Sequence, residues 1–120
     1  MIVDTSALYA FFVSDSPDHW AVAAQLDLAP RDEPLVISPF AIVELEGVIL
    51  SRFGVDGWLA VLSELGGGAW SLASHDAADL VVIAEVVEQQ PELPLAVVSG
   101  TLLARREGAG DIASVRAIPA

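Results

Sequence analysis

Short apolar runs alternate along the chain with longer stretches in which apolar positions recur every three or four residues. Ile2-Val3 ends on Asp4, Leu35 to Ile37 ends on Ser38-Pro39, and Trp70 to Leu72 follows Gly66-Gly67-Gly68. Runs this short, bounded by turn or capping residues, predict strands buried on both faces. Helices are predicted from Thr5 or Ser6 to Phe12, from Ser16-Pro17 to about Leu28, from Ser38-Pro39 to about Arg52, from Val55 to Leu65, and from Ser74 or Asp76 to about Gln90. Gly54 stands just past the third of these and Pro91 stops the last. Beyond it, Leu95 to Val98 reads as a strand, Gly100 to Glu107 as a helix, and Ile112 to Val115 as a final strand. Alternation of this kind predicts an α/β fold with a mostly parallel sheet, and 120 residues suit one domain spanning 1–120.

Composition narrows the chemistry. There is no cysteine, which removes disulfides, thiolate metal sites and cysteine nucleophiles together. No apolar run approaches the roughly 20 residues of a membrane span, and no basic stretch precedes an apolar one at the start, so a cytoplasmic protein is expected. Five basic against 17 acidic residues give a formal charge of −12, and all five are arginine. Without lysine the P-loop is excluded. So acidic a chain repels nucleic acid through its mean field, and a basic partner or an acidic metal site fits it better.

Candidate chemistry starts at Asp4. In parallel α/β sheets functional groups collect at the carboxyl ends of strands, where loops and helix starts face one crevice. An aspartate there is also among the best helix N-caps, so position alone leaves both roles open. Glu44 and Glu46 interrupt an otherwise apolar helix. Phe40, Ala41 and Val48 flank Glu44 at helical spacing and place it near the core, whereas Glu44, Gly47 and Ser51 form a stripe that reads equally as the wet face. Asp76 and Asp79 suit a helix start as dipole-matching surface acids. His19 and His75 lack metal or triad spacing and read as packing or surface residues. No serine lies in a G-x-S-x-G setting.

Two blocks then stand out: MIVDTSALYAFF at the start and LVISPFAIVELEGVILSRFGVDGWLAVLSEL in the middle. With the order of the remaining helices, they resemble the PIN-domain family, and within it the VapC toxins of bacterial toxin–antitoxin pairs, over essentially the whole length. The resemblance implies a PIN-like three-layer domain with a parallel central sheet flanked by helices. It implies a small Mg²⁺-dependent endoribonuclease, with Mn²⁺ as an alternative ion, acting on RNA as a homodimer. It also implies a VapB-like antitoxin whose basic tail enters the active site. The family's first acid falls on Asp4 and its second on Glu44 rather than Glu46, which makes these two the expected metal ligands.

The other two acidic positions depart from the motif. Where the family has L-x-L-x-D-A-S, this chain has L-A-V-V-S-G-T, which puts Ser99 on the third; where it has I-A-T-L-D, this chain has I-A-S-V-R, which puts Arg116 on the fourth. Asp111 precedes Arg116 by an odd number of strand positions and is expected to face the other way. Four acids carry about −4, whereas Asp4, Glu44 and Arg116 together carry about −1, so weak binding of a divalent cation is expected. Ser99 would be at most a weak neutral ligand. The resemblance thus implies a toxin of reduced or lost activity, with Asp4, Glu44, Ser99 and Arg116 at the catalytic positions. The alternatives are a non-cleaving PIN-fold protein that keeps its dimer and antitoxin surfaces, and an enzyme whose metal site another subunit completes.

Overall fold

The computed structural model describes residues 1–29, 32–108 and 112–114. The chain runs β1 (Ile2–Val3), α1 (Thr5–Phe12), α2 (His19–Asp27), β2 (Val36–Ile37), α3 (Pro39–Leu65), β3 (Ser71–Leu72), α4 (Ala77–Gln89), α5 (Leu95–Glu107) and β4 (Ile112–Ala113). The four strands form one sheet in the order β3-β2-β1-β4, and every pairing is parallel.

The pleat sorts the core into two layers. Ile2 and Val36, paired in register, pack with Leu103 and Ala104 of α5. One residue further on, Val3 and Ile37 join the larger cluster with Leu8 of α1 and Leu45 of α3. Side chains that alternate across the sheet thus meet helices on both faces, which is the three-layer α/β architecture. At Gly100 an added Cβ would stand 2.9 Å from Ile2 Cγ2, so glycine lets α5 lie close on β1.

Most predicted boundaries hold. Asp4 caps α1, Ser38 caps α3 with Pro39 in its first turn, and Asp76 caps α4. The predicted break at Gly54 is a kink inside α3, with φ 73° and ψ −169°, so the helix is two segments joined at a residue only glycine adopts readily. Helix α2 starts at His19 rather than at Ser16-Pro17, because Ser16 and His19 close tight turns first.

One element differs in kind. Leu95 to Val98 is not a strand but the first turn of α5, which runs unbroken to Glu107 and ends on Gly108 in the left-handed region. A four-residue apolar run is ambiguous by periodicity, and Pro94 directly before it makes a good helix start. The run is apolar because Ala96 and Val98 are buried.

Candidate active site

Asp4, Ser38 and Ser114 each follow a strand directly, so all three stand at the carboxyl edge of the sheet, and His75 comes shortly after β3. Asp4 closes the register of β1 by donating its amide to the Ala113 carbonyl, 3.0 Å away. Its Oδ1 accepts from the Ala7 amide at 2.9 Å and from the Ser6 hydroxyl at 2.8 Å. Both roles left open at Asp4 therefore meet in one side chain: one oxygen caps α1 while the carboxylate lines a crevice.

That crevice has a volume of about 520 Å³ and is lined by Asp4, Thr5, Tyr9, Asp18, Glu44 and Val97, among others. Glu44 reaches it from α3, and Thr5 Oγ1 donates to Glu44 Oε2 at 2.9 Å across 39 residues of sequence. Glu44 is exposed, so the stripe it shares with Gly47 and Ser51 is the wet face, and that wet face borders the crevice. Glu46 is exposed too but does not line it. Near the rim, Arg52 donates to the Tyr9 hydroxyl at 2.7 Å and grips both oxygens of Asp15 at 2.9 and 2.7 Å.

Ser99 is placed otherwise. It lies in the second turn of α5, is fully buried, and its hydroxyl is 2.5 Å from that of Ser38. On its other side it meets His75 Nε2. The imidazole is 4% exposed, stacks on Phe40 with centroids 5.8 Å apart, and places Nδ1 3.0 Å from Asp79 Oδ2. Asp79 Oδ2 also receives Arg106 Nη1 at 2.6 Å, and the Asp79 carboxyl completes a capping box with Asp76. The bond from His75 first, then the Asp76 amide and the Arg106 guanidinium, hold the Asp79 carboxyl below the ordinary carboxylate range, against the opposing effect of burial. Arg116 and Asp111 lie outside the described residues.

Two residues set aside in the sequence thus belong to this buried group. His75 stands just before the Asp76 cap and Asp79 in the first turn of α4, so the chain entering the helix brings the imidazole against the carboxylate.

Hard divalent ions take about six oxygen ligands, carboxylates first among them. Asp4 and Glu44 present two carboxylates to one crevice, each braced by a hydroxyl, and this fits such an ion as half of a site. Among the described residues, no group of three or more His, Cys, Asp or Glu is placed to hold a metal ion.

A family profile for the PIN domain matches residues 1–94. The chain is 43% identical over 108 residues to ribonuclease VapC26 of Mycobacterium tuberculosis, covering 88% of this chain and 78% of that protein. Its fold superposes on the crystal structure of VapC20 of Mycobacterium tuberculosis, a sarcin-ricin loop cleaving toxin, with a TM-score of 0.82 at 14% identity, over 94% of this chain and 87% of the other. The chain therefore belongs to the PIN-domain family. Within that family it is a homologue of the VapC-type toxins. The profile match stops before Ser99 and Arg116, so the two departures fall beyond it.

Proposed function

We propose that this chain is the toxin-type member of a VapC-like toxin–antitoxin pair whose metal-dependent RNA cleavage is reduced or lost. The observation that supports this reading is the lining of the crevice: Asp4 and Glu44 share it, while α5 brings Ala96 and Val97 to it rather than a carboxylate. Ser99, which the motif resemblance puts on an acidic position, does not line it, and its hydroxyl is spent on Ser38 and His75. Asp4 and Glu44 would hold a divalent ion, Mg²⁺ or Mn²⁺, whose chemistry when bound is to acidify water and stabilise charge on a phosphate. Around it the chain's own residues orient ligands: the Ala7 amide and Ser6 fix Asp4, and Thr5 fixes Glu44.

The substrate by homology is RNA, since the 43% identical relative is named a ribonuclease. The partner is a basic antitoxin segment, supported by the net charge of −12 and by Asp4, Asp18 and Glu44 on one crevice. A cytoplasmic homodimer, each copy one domain over 1–120, completes the proposal. Exposed apolar side chains on α4, including Leu80, Val81 and Val82, support a partnered chain. No described helix is long and apolar enough to cross a membrane. The second reading, a PIN-fold protein that binds the antitoxin without cleaving RNA, is favoured by the same apolar contribution of α5 to the crevice.

Cleavage of total RNA in Mn²⁺ by the wild type and by Asp4→Ala tests the proposal. The expected result is a rate within about tenfold of the variant's. Robust cleavage lost in Asp4→Ala would overturn it.

A further inference from the structure

The crevice is built of two kinds of surface. Asp4, Asp18 and Glu44 give it carboxylates, whereas Val48, Pro94, Ala96 and Val97 give it only hydrocarbon. The last three belong to the start of α5 and its cap. Ala96 is buried and Leu95 does not line the crevice, while Val97 lines it and is half-buried. Residue 97 is thus the position of the α5 helix whose side chain is open to the acids of α1 and α3.

Ser99 does not share that place. Successive residues turn about 100° round a helix, so positions 97 and 99 stand about 200° apart. Ser99 accordingly points inward and is fully buried against Ser38 and His75. The motif agrees with the structure in a register two residues earlier. L-x-L-x-D-A-S laid on Leu93 to Ser99 matches Leu93, Leu95 and Ser99, and its acid falls on Val97.

We infer that Val97 decides what the Asp4–Glu44 half-site binds, and that a carboxylate at 97, not at 99, completes it for a divalent cation. The inference rests on the reading of Asp4 and Glu44 as metal ligands. A hard cation fills its coordination sphere with carboxylates and waters. The isopropyl group at 97 supplies neither an anion nor a hydrogen bond to a coordinated water. The helix itself would accept an acid there. Residue 97 is third in α5, whose cap makes no side-chain bond and whose first turn has no acid, so a negative charge at 97 matches the helix dipole. Its amide bonds the Pro94 carbonyl at 3.0 Å and its carbonyl accepts from Thr101 Oγ1 at 2.9 Å, so the backbone that would present the carboxylate is already fixed.

Mn²⁺ calorimetry on Val97→Asp, Val97→Asn and Ser99→Asp tests this. All three carry Arg116→Ala, as does their parent, so that this cation does not decide the outcome. Val97→Asp should bind at least about tenfold more tightly than Val97→Asn, which matches its shape without the charge. Adding Asp4→Asn should abolish the gain, and Ser99→Asp should bind no better than the parent. Thermal unfolding gives a second readout: Mn²⁺ should raise the Tm of Val97→Asp above its value in EDTA and leave that of Val97→Asn unchanged.

Equal Mn²⁺ affinity of Val97→Asp and Val97→Asn overturns the inference. So does a gain in Ser99→Asp as large as that in Val97→Asp. If a buried acid at 99 prevents folding, the Asp and Asn pair at 97 still decides. RNA cleavage by the wild type that Asp4→Ala abolishes sinks the functional reading, while the same pair still reports on the inference.

Discussion

The Ser99 hydroxyl lies 2.5 Å from that of Ser38, 61 residues earlier in the chain. The contact joins the second turn of α5 to the cap of α3, and it commits a buried oxygen to the protein interior. Asp4 and Glu44, by contrast, share a crevice open to solvent. The acidic character of the site is thus confined, among the described residues, to groups on α1, α2 and α3 and the loops before them.

Asp4 has two jobs that substitution separates. Asp4→Ala removes the cap that receives the Ala7 amide and is expected to cost about 1 kcal/mol of stability, whereas Asp4→Asn keeps an oxygen for that bond and costs less. Both remove the anionic ligand. Unfolding by denaturant with parallel Mn²⁺ titration should show unequal stability and equal metal behaviour.

Glu44 should behave in the opposite way. It is exposed, and its contact is one hydroxyl bond from Thr5, so Glu44→Gln is expected to change stability by less than about 0.5 kcal/mol. Binding of a basic antitoxin-like peptide should weaken and lose part of its salt dependence. Unchanged peptide affinity would remove Glu44 from the partner surface.

Asp79 gives a pH prediction whose sign is fixed. Its folded-state pKa is depressed, chiefly by the bond from His75, so its contribution is fully present above the ordinary carboxylate pKa of about 4 and is lost as pH falls through the lower folded value. The stability difference between wild type and Asp79→Asn should therefore be constant at neutral pH and shrink below about pH 4. Denaturant midpoints measured from pH 7 to pH 2 provide the check.

Gly54 is the residue on which α3 bends. With φ 73° and ψ −169° it lies where side chains are strained, although nothing stands within 4 Å of an added Cβ. Gly54→Ala should lose about 1–3 kcal/mol by backbone strain alone, with the native helix content retained below the midpoint. Circular dichroism with urea unfolding reads both.

Much of this was legible in the chain because local signals agreed. Apolar pairs ending on Asp4 and on Ser38-Pro39 mark a strand followed by a capped helix, and those two junctions place α1 and α3 at the carboxyl edge. Glu44 could not be resolved by periodicity, since a helix that borders a crevice has a wet face and a functional face that coincide. Leu95 to Val98 misled because four apolar residues fit a strand as well as the buried side of a helix. The His75–Asp79 pair was hidden for a different reason: its partner Ser99 is 24 residues away, and only the packing of α5 on the sheet brings the hydroxyl to the imidazole.

Calorimetric titration of the wild-type protein with Mn²⁺, against Asp4→Asn as control, bears most directly on the claim that the crevice is a two-carboxylate half-site. The account predicts a dissociation constant weaker than about 1 mM, little different from the control. A saturable site at tens of micromolar or tighter, abolished by Asp4→Asn, would contradict it.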